Sequence, residues 1–189
     1  MTWSKIKQQL ESFLSPALQG KVEYRATGYR YLPDKAGICY MAVDKKNILN
    51  MNDATTLIRW YTSEQEIKND AGIEIPISQE QLAAVRTSMG DKIPKERLIV
   101  IARSQALSEL AKELMAAQAA LSKSDFITVA TRFLSSPIEQ SLESKEMLLN
   151  ILALVDRRVG KKRIVHMSET IQLKHPAVQY FIKIRLGLF

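Results

Sequence analysis

The chain has 189 residues, 46% hydrophobic and 25% charged, with a net charge of +7 and one cysteine. That length supports one domain or two small ones with a real core, and the composition is that of a globular protein rather than a disordered or fibrous one. Wholly apolar runs such as 98–102 and 151–155 are too short for a bilayer span, and Lys5, Lys7 and Glu11 interrupt the place where a signal peptide's apolar region would lie. A lone Cys39 forms no internal disulfide, so the expectation is a cytoplasmic protein in a reducing compartment.

Charge is uneven along the chain. Residues 1–62 carry nine Lys/Arg against five Asp/Glu, 63–123 eight against nine, and 124–189 ten against six. Two basic ends flank a neutral middle, which admits an anionic partner and equally serves solubility.

Trp3, Ile6, Leu10, Phe13 and Leu14 predict an amphipathic first helix, capped by Thr2 or Ser4 and ended by Pro16. Residues 21–32 alternate, with Val22, Tyr24 and Ala26 on one face, and predict a half-buried strand in which Gly28 marks a bulge. Residues 33–37 are turn chemistry, 38–43 a second strand, Asp44 to Asn47 a polar turn and 48–51 a third strand. The expected unit is an antiparallel meander with the first helix on one face.

Asp53 is the expected cap of a helix carrying Leu57, Ile58 and Tyr61, and a soft boundary falls near Asp70 to Pro76. Beyond it the pattern is helical. Ser78 with Gln81 reads as a capping box, and Gly90 ends that helix. The run 98–102 fits a buried strand or a buried helix equally. Leu107, Leu110, Ala111, Leu114 and Leu121 mark a long Ala-rich helix. Ser124 caps the next, with Phe126, Val129, Ala130 and Phe133 inward; Ser136 with Glu139 reads as another capping box, with Pro137 at the first helical position. Pro176 opens the last helix, with Val178, Phe181, Ile182 and Leu186 on its inner face.

The most informative stretch is 147–163. Leu148, Ile151, Leu152, Val155 and Val159 repeat as one buried helix face, and the helix is expected to stop at Gly160. Arg157, Arg158, Lys161, Lys162 and Arg163 then put five cations into seven residues. One reading is anion binding, with Lys161, Lys162 and Arg163 at the start of the following helix, where backbone N–H groups and the dipole favour negative charge. The other is structural: cations suit a helix C-terminus, and Arg157 or Arg158 pairs with Asp156 or another carboxylate to hold two helices together. A nucleotide P-loop is excluded, because Val155 stands where that motif needs its first Gly and Lys162 follows Lys161 where Ser or Thr is required.

Other chemistries are weaker. Tyr24, Tyr29, Tyr31 and Tyr40 with Arg25 and Arg30 form an aromatic, basic sheet of the kind that stacks bases, but Tyr24 shares the expected core face. One cysteine and two histidines nine apart, His166 and His175, make no metal-ligand pattern. No nucleophile elbow occurs, and Glu109 with Glu113 reads as a solvated helix face.

The opening MTWSKIKQQLESFL and GKVEY, with the later segments SSPIEQSLES, LALVDRRVGKKR and HPAVQYFIKIRL, resemble an uncharacterised family of small bacterial cytosolic proteins beginning Met-x-Trp-Ser-Lys. The resemblance covers roughly residues 1–62 and 124–189 and leaves the middle unmatched. It implies an Asp-Gly turn in the second hairpin, where this chain has Asp44-Lys45, and it implies no activity.

The expectation is therefore an α+β fold: an N-terminal helix with a three-stranded antiparallel meander, followed by a mostly helical C-terminal region. Its divisions are an N-terminal unit at 1–62, a linker and helical insert at 63–123 and a helical unit at 124–189, or one continuous domain. The expected function is non-catalytic recognition of another macromolecule, first a protein, without cofactor, metal or membrane. The alternatives are nucleic-acid or phosphate binding through Arg157, Arg158, Lys161, Lys162 and Arg163, and an enzyme whose site assembles only in three dimensions.

Overall fold

The computed structural model describes residues 1–31, 36–70, 72–90, 93–117 and 121–188. In chain order the elements are α1 (Trp3–Ser12), β1 (Val22–Gly28), β2 (Gly37–Val43), β3 (Lys46–Asn52), α2 (Asp53–Asn69), α3 (Gln79–Met89), α4 (Lys95–Ala117), α5 (Lys123–Ser135), α6 (Ile138–Glu143), α7 (Met147–Val155), α8 (Lys161–Ser168) and α9 (Pro176–Leu186). The fold is α+β, as the patterning predicts. Residues 1–56 pack with 121–189 as one unit, and 57–120 form a second.

In the first unit the strands pair in the order β1-β2-β3, antiparallel throughout. Alternation puts Val22 and Tyr24 inward, and Tyr24 stacks on Phe126 of α5 with ring centroids 6.2 Å apart. The expected bulge at Gly28 does not form, since β1 pairs regularly to its end. The irregularity falls instead between Met41 opposite Leu49 and Ala42 opposite Asn47, which leaves Ile48 without a partner. Asp44 and Lys45, with φ of 47° and 67°, make the two-residue turn of the second hairpin. The turn expected at 33–37 lies mostly outside the described residues.

The core of this unit is one continuous cluster, and α7 runs through it. Every residue from Leu148 to Val155 is buried, so α7 is buried all round rather than on the single face its periodicity suggested. Asn150 survives there because its amide donates to the carbonyls of Ser141 at 3.0 Å, Leu142 at 3.2 Å and Ser144 at 2.7 Å, which satisfies the end of α6.

Capping differs from expectation at four helices. Thr2 stands at the N-cap of α1, but its side chain makes no capping hydrogen bond. Asn52, not Asp53, serves α2: its Oδ1 accepts from Ala54 N at 3.0 Å, while the Asp53 carboxylate accepts from Gly37 N and Ser124 N. Ser122, not Ser124, caps α5, in a capping box with Asp125. The Ser136 capping box does not form; Pro137 is the N-cap of α6, and Ser136 Oγ donates to Arg132 O at 2.8 Å. The Ser78–Gln81 box and Pro176 at the start of α9 stand as predicted.

In the second unit, 98–102 is helical and continuous with the Ala-rich stretch, which makes α4 a single helix of 23 residues. Among the described residues, two small clusters hold this unit. One gathers Ile67, Leu107 and Ala111; the other gathers Val85, Leu98 and Ala102.

Candidate functional site

The basic segment is built on the end of α7. The helix stops at Val155, five residues before Gly160, because Asp156 turns extended with ψ of 139°. There the chain bridges to the exit of α1: Ser15 N donates to Val155 O at 2.8 Å and Arg157 N donates to Phe13 O at 2.7 Å. Asp156 is thereby carried into the core, 1% exposed.

A buried carboxylate needs a full set of donors. Arg158 supplies them: its backbone N lies 2.7 Å from Oδ1, its Nε 3.1 Å from both oxygens and its Nη2 2.8 Å from Oδ2. The guanidinium also lies over the Phe13 ring at 4.4 Å and the Phe133 ring at 5.7 Å. The hydrogen bonds it donates to Asp156 hold the Arg158 pKa above its ordinary value. A second arginine, Arg185 of α9, donates to Ser15 Oγ and to Val159 O. Burial lowers its pKa, and Asp156 opposes that shift. Four distant pieces of chain thus meet around one carboxylate. Arg158 is bound into this knot.

The remaining cations divide. Arg157 is exposed, with its guanidinium 5.9 Å from the Phe13 ring. Gly160 is the N-cap of α8 at φ −71°, an ordinary extended conformation and not the left-handed C-terminal one. Lys161, Lys162 and Arg163 form the first turn of α8, where no acidic residue offsets them. Arg163 Nη1 donates to Glu139 Oε1 at 2.9 Å, which holds the Glu139 carboxyl below its ordinary range. Among the described residues, Lys161 and Lys162 have exposed side chains with no hydrogen bond or ion pair. Lys162 and Arg163 line a cleft of about 710 Å³ between α6 and α8.

The second unit presents a different surface. Leu57, Ile58 and Tyr61 of α2 are 65%, 67% and 62% exposed, while the same helix buries Ser63, Glu64 and Ile67. Tyr61 falls four residues after Leu57 and three after Ile58, so the three side chains share one outward helix face. Glu64 is held by Ser108 Oγ at 2.7 Å. The spacing of this stripe is visible in the sequence; its exposure is not.

Other candidates resolve simply. Tyr24 is wholly buried, and burial raises its pKa, so it belongs to the core rather than to a stacking surface. Cys39 is buried and its thiol is pushed up to about 12. His175 caps α9, its Nδ1 accepting from Ala177 N at 3.2 Å. Among the described residues no group of three His, Cys, Asp or Glu is placed to hold a metal ion, and no helix is long and apolar enough to cross a membrane.

The profile of the SF0329 protein family matches residues 2–186, and the chain belongs to that uncharacterised family. The match runs through 63–123 as well, so the middle of the chain is family sequence and not an addition to it. No curated protein and no solved structure matches the chain.

Proposed function

We propose that this is a non-catalytic binding protein whose partner is another protein, docked on the outward stripe of α2. The observation that carries the reading is the outer face of that helix: Ser63, Glu64 and Ile67 turn inward, while three large apolar side chains, Leu57, Ile58 and Tyr61, stay in solvent. Three large apolar side chains on one helix face are a contiguous patch of the kind that marks interaction surfaces. A tyrosine beside two aliphatic residues is also the composition of an interface centre. The complement is an apolar groove or a second amphipathic helix.

The test places a photo-crosslinking residue at Ile58, identifies the captured protein and titrates that protein, purified, against wild type and Leu57→Ser/Tyr61→Ser. The expected result is a loss of about tenfold or more in the variant, with weak dependence on salt. Equal affinity for wild type and variant overturns the reading.

A second reading, phosphate or nucleic-acid binding through the basic segment, is favoured by Lys161 and Lys162, which no carboxylate engages. Its test is fluorescence anisotropy with duplex DNA and single-stranded RNA, with Lys161→Ala/Lys162→Ala as the variant. Arg158 is left in place because Asp156 depends on it. Phosphate-driven binding weakens steeply between about 50 and 200 mM salt. No binding at low salt removes this reading.

A further inference from the structure

We infer that the cleft between α6 and α8 is a docking site for a short acidic peptide segment that also carries apolar side chains. This surface lies in the first unit and stands independently of α2. The cleft has a volume of about 710 Å³, the scale of a few residues of extended peptide. Leu142 and Met167 line it, and both pack against the main core, which gives the cleft an apolar floor.

The ionic groups of the wall sort by whether they are engaged. Arg163 is paired with Glu139 at 2.9 Å, and His166 Nδ1 lies 3.0 Å from Glu169 Oε2. Among the described residues, Lys162, Lys174 and Glu143 also line the cleft and have no side-chain partner. Two unengaged cations face one unengaged carboxylate, and Lys161 adds a further cation beside Lys162. The groups available to a newcomer are therefore mainly ammonium donors, which carboxylates complement.

The same wall disfavours a nucleic acid. Lys162, Arg163 and Lys174 are matched in number by Glu139, Glu143 and Glu169, so a continuous phosphate chain meets as many like charges as opposite ones. Among the described residues the one ring lining the cleft is His166, which lies against Glu169, and no Phe, Tyr or Trp is there to stack a base. Spaced carboxylates beside apolar side chains match both the floor and the two lysines.

The probe is a fluorescein-labelled octapeptide of alternating Leu and Glu, read by anisotropy against the full chain. An alternating Ser-Glu peptide and a short single-stranded RNA are the comparison probes. The test variant is Lys162→Glu/Lys174→Glu. A charge-matched control, Lys5→Glu/Lys21→Glu, makes the same change in net charge at exposed positions outside the cleft. A glutamate in the first turn of α8 complements the helix dipole, so the test variant is expected to fold, and circular dichroism checks this.

The expected result is that the Leu-Glu peptide binds, that the test variant weakens it about tenfold or more, and that the control stays near wild type. With methyl-labelled protein, the Met167 methyl resonance, assigned by Met167→Leu, shifts on titration. An equal loss in test and control variants, an unmoved Met167 methyl, a preference for the RNA, or no binding at all each overturns the inference.

Discussion

The two units solve burial in opposite ways. In the first, α1, the sheet and α5 to α9 feed one cluster, and α7 lies inside it with no residue from Leu148 to Val155 exposed. In the second, α3 and α4 share one small cluster, α2 and α4 share another, and Leu57, Ile58, Tyr61 and Val100 stay outside both. Charge divides the same way. Residues 57–120 carry eight Lys/Arg against nine Asp/Glu, which leaves nineteen against eleven on the first unit. A core that uses nearly all of its apolar residues fixes a shape. A unit that leaves an apolar stripe uncovered, and carries little net charge to repel a partner, has the surface on which the proposed protein docking rests.

This contrast can be broken most directly in the cores, and the chain supplies the reporters. It has two tryptophans, Trp3 in the first unit and Trp60 in the second. Leu152→Ala in α7 empties a fully buried position and is expected to cost about 4 kcal/mol. Urea unfolding read by Trp3 in a Trp60→Phe background measures it. Leu107→Ala in α4 is expected to cost about 2 kcal/mol, toward the lower end for such a change, because its cluster is small and can collapse. It should leave the Trp3 transition in place. If Leu107→Ala shifts the Trp3 transition as far as Leu152→Ala does, the two units are one cooperative block and the comparison fails.

The next largest effect sharpens the same contrast within the basic segment. Arg158→Ala orphans a carboxylate that is 1% exposed. The loss is expected at about 2 kcal/mol, below the full cost of an isolated buried charge, since removing a guanidinium that is 36% exposed admits water. Lys161→Ala and Lys162→Ala are expected to change stability by no more than about 0.5 kcal/mol. Urea midpoints on the Trp3 signal check all three. Equal effects would mean that the exposed lysines are tied into the fold after all.

Alkali should also divide the units. Burial lifts the Cys39 thiol from 9.0 to about 12, so the folded state keeps a proton that the unfolded state releases. Its stability contribution is full below pH 9 and is lost as pH rises toward 12, at about 1.4 kcal/mol per pH unit. Tyr24, also raised by burial, acts in the same direction above pH 10. Comparing urea midpoints at pH 8 and about pH 10.5, the first unit should lose about 2 kcal/mol from Cys39 alone. Cys39→Ser, whose hydroxyl does not ionise in this range, should flatten the pH dependence. A Trp3 transition that holds its midpoint at both pH values would show that the thiol titrates normally in the fold.

What was legible in the sequence follows the range of the interaction. The strands around Tyr24, the Ser78 box and Pro176 at the head of α9 rest on neighbours within a few residues, and their patterns are sufficient. The end of α7 is another matter. Val159 keeps helical spacing and is fully buried, yet the chain has already left the helix at Asp156 to bond Phe13 and Ser15, some 140 residues away. Nothing local signals that bridge. Asp156 and Arg158 are two residues apart and visible as a pair, but the burial that makes the pair matter comes from the same distant contact. Arg185 joins it from α9, with no pattern to announce it. For α2 the spacing of Leu57, Ile58 and Tyr61 is readable as a face, while periodicity is silent on whether anything covers that face.

The smallest expected effect concerns the hairpin that closes the first unit. Asp44 and Lys45 both stand at positive φ, and the Lys45 side chain gains nothing visible for the conformation it is forced into. A residue with a Cβ in the left-handed region costs about 1–2 kcal/mol, against about 0.5–1 kcal/mol of extra chain entropy that a glycine loses on folding. Lys45→Gly, which restores the Asp-Gly pair favoured in two-residue hairpin turns, should therefore stabilise the first unit by about 0.5 kcal/mol. Asp44→Gly is the informative control. It relieves the same kind of strain and keeps the backbone bond from residue 44 to Lys21 O, at 2.9 Å, but it removes an acidic side chain that tolerates this conformation better than lysine does. The gain should be smaller at 44 than at 45. A gain from neither, on the Trp3 signal, would mean that the turn relaxes in solution and that the first unit is less rigidly closed at this edge than its core implies.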